Sequence, residues 1–342
     1  MRFKLRQCSI GFTVVLAAGC DSSGSVYPAP NPPPASSGLW TVSASAAALL
    51  RLAPSQLGNP GALAPATTIT TPSAQLSTLV GLAFDAGGDL WVASQDDSLL
   101  IELASAGLTG SGSAAARTVI RPRAGSLSGP TSLAFDAAQR LWVANRSNGT
   151  LVRFDPAELA AGGAVEPAVI LSGLGRPTSI AFDAAGSLWV SDDRANTLVR
   201  YSAAQLAASG SPAPAVVLSS AANSLVKPSG LAFDASGTLW VANTNSESLA
   251  GFSPDQLAVS GSPEPRVVLS PSDDSVTQPV GLAFDAAGNL WVVGGGGALT
   301  KFARASLGVT GTPAPSARFQ LTGYSLLWNV AFWPKPAGLP LF

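Results

Sequence analysis

The chain predicts an all-β fold, a six-bladed ring with four strands per blade, closed by pairing of its own N- and C-terminal segments. Three observations predict it. First, one phrase recurs five times: LAFDAGGDLWVAS at 82–94, LAFDAAQRLWVAN at 133–145, IAFDAAGSLWVSD at 180–192, LAFDASGTLWVAN at 231–243 and LAFDAAGNLWVVG at 282–294. Its phenylalanines (Phe84, Phe135, Phe182, Phe233, Phe284) and tryptophans (Trp91, Trp142, Trp189, Trp240, Trp291) both follow spacings of 51, 47, 51 and 51. Self-similarity at such a period marks a repeat architecture. Second, two half-copies flank the array. Residues 38–43 (GLWTVS) match the second half of the phrase, and 329–332 (NVAF) match the first. A sixth copy split this way has no use in an open solenoid, whereas in a ring the two ends meet in one sheet. Third, 46% of the 342 residues are apolar, only 11% are charged, and there are 35 glycines and 27 prolines. That composition supports a large core with many turns and few long helices.

The segments can be justified in order. Arg2, Lys4 and Arg6 precede an apolar stretch at 9–18 that is too short to span a bilayer. It ends in Leu16-Ala17-Ala18-Gly19-Cys20, which resembles the lipobox of bacterial lipoproteins, with Leu one place further from the Cys than is usual. The resemblance implies a signal peptide at 1–19, lipidation of Cys20, and a chain anchored through that lipid to a membrane of the bacterial cell envelope, on its extracytoplasmic side. Residues 20–37, rich in Pro and Ser, read as a disordered tether, with the ring occupying 38–342.

Within each period the xLAFD segment is a first, innermost strand. An Asp-Ala-x-Gly turn leads to a second strand, LWVA. A polar loop then leads to a third, such as 151–154 or 198–201. Ser253-Pro254-Asp255-Gln256 and Asp155-Pro156-Ala157-Glu158 read as capping boxes opening one helical turn. A Gly-Ser-Pro-x-Pro segment enters the fourth strand, as at 216–218 and 267–269. Four short strands per repeat, six times, is a β-propeller. The turn aspartates (Asp85, Asp136, Asp183, Asp234, Asp285) are expected to accept hydrogen bonds from their own turns. Gln139 stands where the other turns have Gly.

Composition also excludes chemistry. The chain has no histidine, and its two cysteines are Cys8 and Cys20. The ring therefore lacks a Ser-His-Asp or Cys-His catalytic set and any His- or Cys-ligated metal. Removing residues 1–19, with three positive charges and no negative ones, takes the net charge from −1 to −4. A chain of that charge is not expected to bind nucleic acid.

The recurring phrase resembles the NHL repeat and the related six-bladed propellers of the SMP-30/gluconolactonase, strictosidine-synthase-like and virginiamycin-B-lyase-like groups, over about residues 38–333. The gluconolactonase resemblance implies a divalent cation held by Glu, Asn and Asp oxygens at one channel mouth. The lyase resemblance implies a catalytic His, which this chain does not have.

In a propeller the loops after the second strand and before the first share one face. There Asn145, Asp192 and Asn243 hold equivalent places in three consecutive blades. They are a candidate Ca²⁺ or Mg²⁺ site, a polar ligand site, or plain turn residues. Arg176 and Lys227 on adjacent loops form a candidate anion site, and Gln95, Asp96, Arg146, Asp193, Asn245 and Asn329 complete the candidate ligand-binding set. The leading expectation is a lipid-anchored binding module that recognises a protein, peptide or glycan through this face. The alternative is a divalent-metal-dependent hydrolase or lactonase.

Overall fold

The computed structural model describes residues 34–71, 78–219, 224–271 and 273–339. The expected signal peptide, Cys20 and the expected tether up to residue 33 lie outside the described residues; Ser36 and Ser37, read as the end of that tether, are instead buried, their carbonyls accepting the Trp40 indole N–H and an Arg51 guanidinium N–H at 2.9 Å. Six antiparallel four-stranded blades surround a channel, and each innermost strand packs beside the next one around the ring. Blade 3 shows the pattern, running from the channel outward as Pro130–Phe135, Leu141–Asn145, Thr150–Phe154 and Val169–Leu171. Blades 2, 4, 5 and 6 begin at Leu79–Phe84, Pro177–Phe182, Pro228–Phe233 and Pro279–Phe284.

Blade 1 is assembled from both ends of the chain. Its innermost strand is Leu327–Trp333, and its other three are Gly38–Ser43, Ala48–Leu52 and Thr67–Thr70. The closing register sets Leu39 against Phe332, Trp40 against Ala331 and Thr41 against Val330. Thr41 adds a bond of its own, its Oγ1 donating to the Asn329 carbonyl at 2.6 Å.

The recurring phrase is held together by its aspartate. In blades 3 to 6 the Oδ1 of Asp136, Asp183, Asp234 and Asp285 accepts the backbone N–H groups two and four residues ahead at 2.8–3.0 Å. The Oδ2 accepts the indole N–H of the tryptophan six residues ahead at 3.0–3.3 Å. One carboxylate thus fixes the turn and orients the ring that fills the next wedge. Five of the six blade tryptophans pack on the phenylalanine of the following blade, and Trp142 shares a core cluster with Phe182. The pairs Trp40–Phe84, Trp91–Phe135, Trp189–Phe233, Trp240–Phe284 and Trp291–Phe332 are edge-to-face, with centroids 6.0–6.5 Å apart. That geometry suits the aromatic quadrupole. Gln139 keeps the left-handed conformation of the turn glycines, at φ 58°, and its Oε1 accepts the Ala86 N–H of blade 2 at 2.8 Å. The substitution therefore changes the neighbour contact and leaves the turn unchanged.

The outer edge is covered by a device that the repeat alone does not announce. The segment preceding each fourth strand, Ser-Gly in three blades, runs parallel to the outer strand of the previous blade. Gly61–Leu63 pairs with Ala317–Leu321, and Gly112–Ser113 with Thr67–Thr70. Single bridges at Gly163, Gly210, Gly261 and Gly311 repeat the contact. Hydroxyls of Ser111, Ser209, Ser260 and Thr310 accept N–H groups of those outer strands at 3.0–3.1 Å. Pairing of this kind blunts edges that would otherwise template aggregation. The expected capping box at Asp155 forms: helix Pro156–Ala161 follows it, and Glu158 Oε2 accepts the Asp155 N–H at 2.8 Å. At Ser253 the same contact to Gln256, 2.9 Å, closes a turn and no helix follows.

The C-terminal tail crosses the face bearing the Asp turns. Trp333 stacks on Phe84 of blade 2 at 5.1 Å, and Leu339 is buried among Trp240 and Phe284 of blades 5 and 6.

Truncation after Ser325 removes the closing strand and should abolish cooperative unfolding in denaturant, whereas truncation after Pro334 should leave the transition cooperative. A second outcome concerns acid. Burial pushes the Asp285 carboxyl up, but hydrogen bonds from Trp291 and Asn289 and the charge of Lys301 hold it below the usual carboxylate range. A depressed folded-state pKa contributes stability above the unfolded value, about 3.9, that is lost as pH falls through the folded one. Asp285→Asn should therefore destabilise the protein near neutrality and flatten the acid limb of its stability curve.

Candidate functional site at one mouth of the channel

The innermost strands approach one another closely at the waist of the channel. A Cβ on Gly81 would lie 2.8 Å from the Thr131 carbonyl oxygen, and one on Gly230 would lie 2.7 Å from that of Val280. Where the waist has hydroxyls they stitch blade to blade: Thr178 Oγ1 donates to the Pro228 carbonyl at 2.9 Å, and Ser132 and Ser179 accept N–H groups of Ile180 and Leu231 at 3.2 Å. The waist separates two cavities that share Ser179 and Asn329.

The cavity on the loop side has a volume of about 280 Å³ and brings together Arg146, Asp193, Lys227, Asn245 and Asn329 from the expected set. Asp193, buried, receives two guanidiniums: Arg146 Nη2 of blade 3 and Arg176 Nη2 of its own blade, each at 3.0 Å. The pairing with Asp193 holds the Arg176 guanidinium above its usual range. Lys227 forms no ion pair among the described residues, so the cavity keeps an uncompensated cation. Thr244, Gln278 and Trp328 join the lining, and Trp328 is 37% exposed.

Asn145, Asp192 and Asn243 do not line it. They are 0%, 3% and 1% exposed, and their oxygens are occupied within their own blades. Asn145 Oδ1 accepts the Ser128 N–H, and Asn243 Oδ1 the Val226 N–H, both at 3.2 Å. The Asp192 carboxylate accepts four backbone N–H groups, from Gly175, Arg176, Arg194 and Ala195. They are loop clamps, each holding the entry loop of its blade to the end of the second strand. Gln95 and Asp96 also lie away from this cavity. The Gln95 N–H donates to the Thr78 carbonyl, and Asp96 accepts the Thr78 hydroxyl. Elsewhere, Asp85, Asp89 and Glu102 lie within 4.8 Å of one another, but Arg117 already bridges Asp89 and Glu102.

Two lining residues carry backbone strain. Gly129, Lys227 and Gln278 occupy the same place, each directly before a proline, with φ of 59°, 49° and 44°. Only glycine adopts that region without cost; a side chain there costs on the order of 1 kcal/mol. The preceding turns help to hold it. Asn196 Oδ1 accepts the Lys227 N–H at 2.8 Å, and Glu247 Oε1 the Gln278 N–H at 3.4 Å. Trp328 and Gln278 were legible only as loop residues, since neither strain nor lining shows in composition.

No family model matches the chain, and no curated protein matches it in sequence. Solved structures do. One chain of a nidogen/laminin complex superposes with a TM-score of 0.58 at 15% identity, covering 85% of this chain and 96% of that one. A streptogramin B lyase gives 0.51 at 14% identity, covering 74% and 72%. Virginiamycin B lyase from Staphylococcus aureus gives 0.49 at 13%, covering 71% and 70%. The chain is a six-bladed β-propeller, and its structural neighbours include both lyases and a protein of a binding complex.

Lys227→Gly and Gln278→Gly should each stabilise the ring by up to about 1 kcal/mol in chemical denaturation, because glycine relieves the left-handed strain.

Proposed function

We propose that the protein is a lipid-anchored binding module of the bacterial cell envelope, related to the NHL and SMP-30-like propellers. The lipidated N-terminal segment attaches the ring to the membrane, and the loop-side mouth recognises its ligand. The mouth suits a ligand with an anionic group beside a flat face, such as the acidic end of a glycan. The observation that carries this reading is Lys227, a cation held in a strained conformation without an ion-pair partner, in the same cavity as the exposed Trp328. Strain of this kind collects at functional sites. An exposed tryptophan offers a stacking platform of large area. Arg146 and Arg176, braced on Asp193, extend the positive field, while Asn245 and Gln278 supply amides for hydroxyl groups. The alternative, a divalent-metal-dependent hydrolase or lactonase, draws on Asn145, Asp192 and Asn243, whose oxygens accept backbone N–H groups of their own loops.

The test is calorimetric titration with oligosaccharides that end in a uronic acid and with their neutral counterparts. The acidic sugars should bind, the neutral ones should bind at least tenfold more weakly, and Lys227→Ala and Trp328→Ala should each weaken the acidic ones by a similar factor. Equal binding of both kinds, or indifference to both substitutions, overturns the assignment of the mouth.

A further inference from the structure

The cavity beyond the waist has a different chemistry. Its volume is about 190 Å³, and its wall is a belt of one aliphatic side chain per blade: Leu82, Leu133, Ile180, Leu231, Leu282 and Val330. All six sit two residues before the phrase's phenylalanine, or before Phe332 in the split copy, so the repeat itself builds the belt. Along the aliphatic belt water has few partners, since a buried water needs two to four polar ones. The hydroxyls nearest the belt, on Ser132 and Ser179, already accept N–H groups from the next blade. Left empty, the belt forfeits dispersion contacts. An apolar cavity of about 150 Å³ is already large enough to admit benzene.

The outer end of this cavity lies under the C-terminal tail, where Trp333, Lys335 and Pro336 line it. The Lys335 side chain is anchored by donation from its Nζ to the Leu339 carbonyl at 2.9 Å. Asp85 is also on this rim, but its Oδ1 accepts the Asp89 N–H, and the Gln139 amide oxygen accepts that of Ala86. Among the described residues Lys335 is the one cation lining this cavity, set at the end where a chain entering the belt would leave its head group.

We propose that this cavity binds the hydrocarbon chain of a free medium-chain fatty acid, with its carboxylate at Lys335 and the tail as its cover. The site is separate from the mouth and does not rest on the reading given for it. The test is titration of the purified protein with hexanoate, heptanoate, octanoate and 1-octanol. Affinity should rise up to fourfold for each added methylene, the fold-change expected for one buried CH₂. Lys335→Ala should weaken octanoate and leave 1-octanol unchanged. Leu231→Phe and Ile180→Phe fill the belt from two different blades. Whichever of them keeps the wild-type melting temperature should weaken octanoate at least tenfold, while Lys227→Ala should leave octanoate binding intact. No octanoate binding at millimolar concentration, no dependence on chain length, or binding that survives a folded belt-filling variant overturns the proposal.

Discussion

The structure depends on the pairing of the two chain ends in blade 1. Five blades can each satisfy their backbone internally, but a ring of wedges is stable only when the last wedge meets the first. Leu327–Trp333 alone would be an edge strand with nothing to pair, and Gly38–Ser43 would lack an inner neighbour. Once they meet, Trp291 finds Phe332 and Trp40 finds Phe84, so the split blade makes the same aromatic contacts as the intact ones. Non-local pairing of this kind carries the loop-closure entropy of nearly the whole chain, and the gain comes only when the final sheet forms. The outer bridges spread the coupling further. Because each blade covers the edge of the one before it, opening one blade exposes a neighbour's edge as well.

This architecture separates stability from recognition along a single strand. In each innermost strand the last residues belong to the wedge and belt, where the phrase repeats almost without change. The first residues belong to the mouth, where blades differ: Pro130-Thr131, Pro177-Thr178, Pro228-Ser229, Pro279-Val280 and Trp328-Asn329. The ring can tolerate strain at Lys227 and Gln278 because their N–H groups are held by side chains of the preceding blade, Asn196 and Glu247. Rigid neighbours impose an unfavourable conformation, and the cost is spread over a large fold.

How much of this was legible depends on whether the cause is local. The closing pair, Trp40 with Phe332, follows from spacing alone, since a period of about 50 residues leaves each end half a copy short. The role of Asp183 follows from its own turn, because all of its partners lie within six residues. The channel mouth was only half legible. Asn145, Asp192 and Asn243 stand at the ends of their second strands, and position alone does not say which way a side chain points. One residue later, in the turns that follow those strands, Arg146, Asp193 and Thr244 line the cavity. The outer Ser-Gly bridges were invisible for another reason: their partners belong to the previous blade, about 40 residues away in sequence and with no motif in common.

The same distinction explains why the belt and the mouth are chemically so unlike although they share one channel. A repeat that must fill six equal wedges selects an aliphatic residue at the same place six times, and the inward edge of that selection is an apolar wall. The loops face no such demand. Their side chains are free to differ, so charge, amide and indole collect at one mouth while the other is covered by the tail. Polar specificity at the loop end and apolar capacity at the tail end are therefore two consequences of one constraint, the sixfold packing of Phe and Trp between blades. That packing leaves only the strand entrances open to variation.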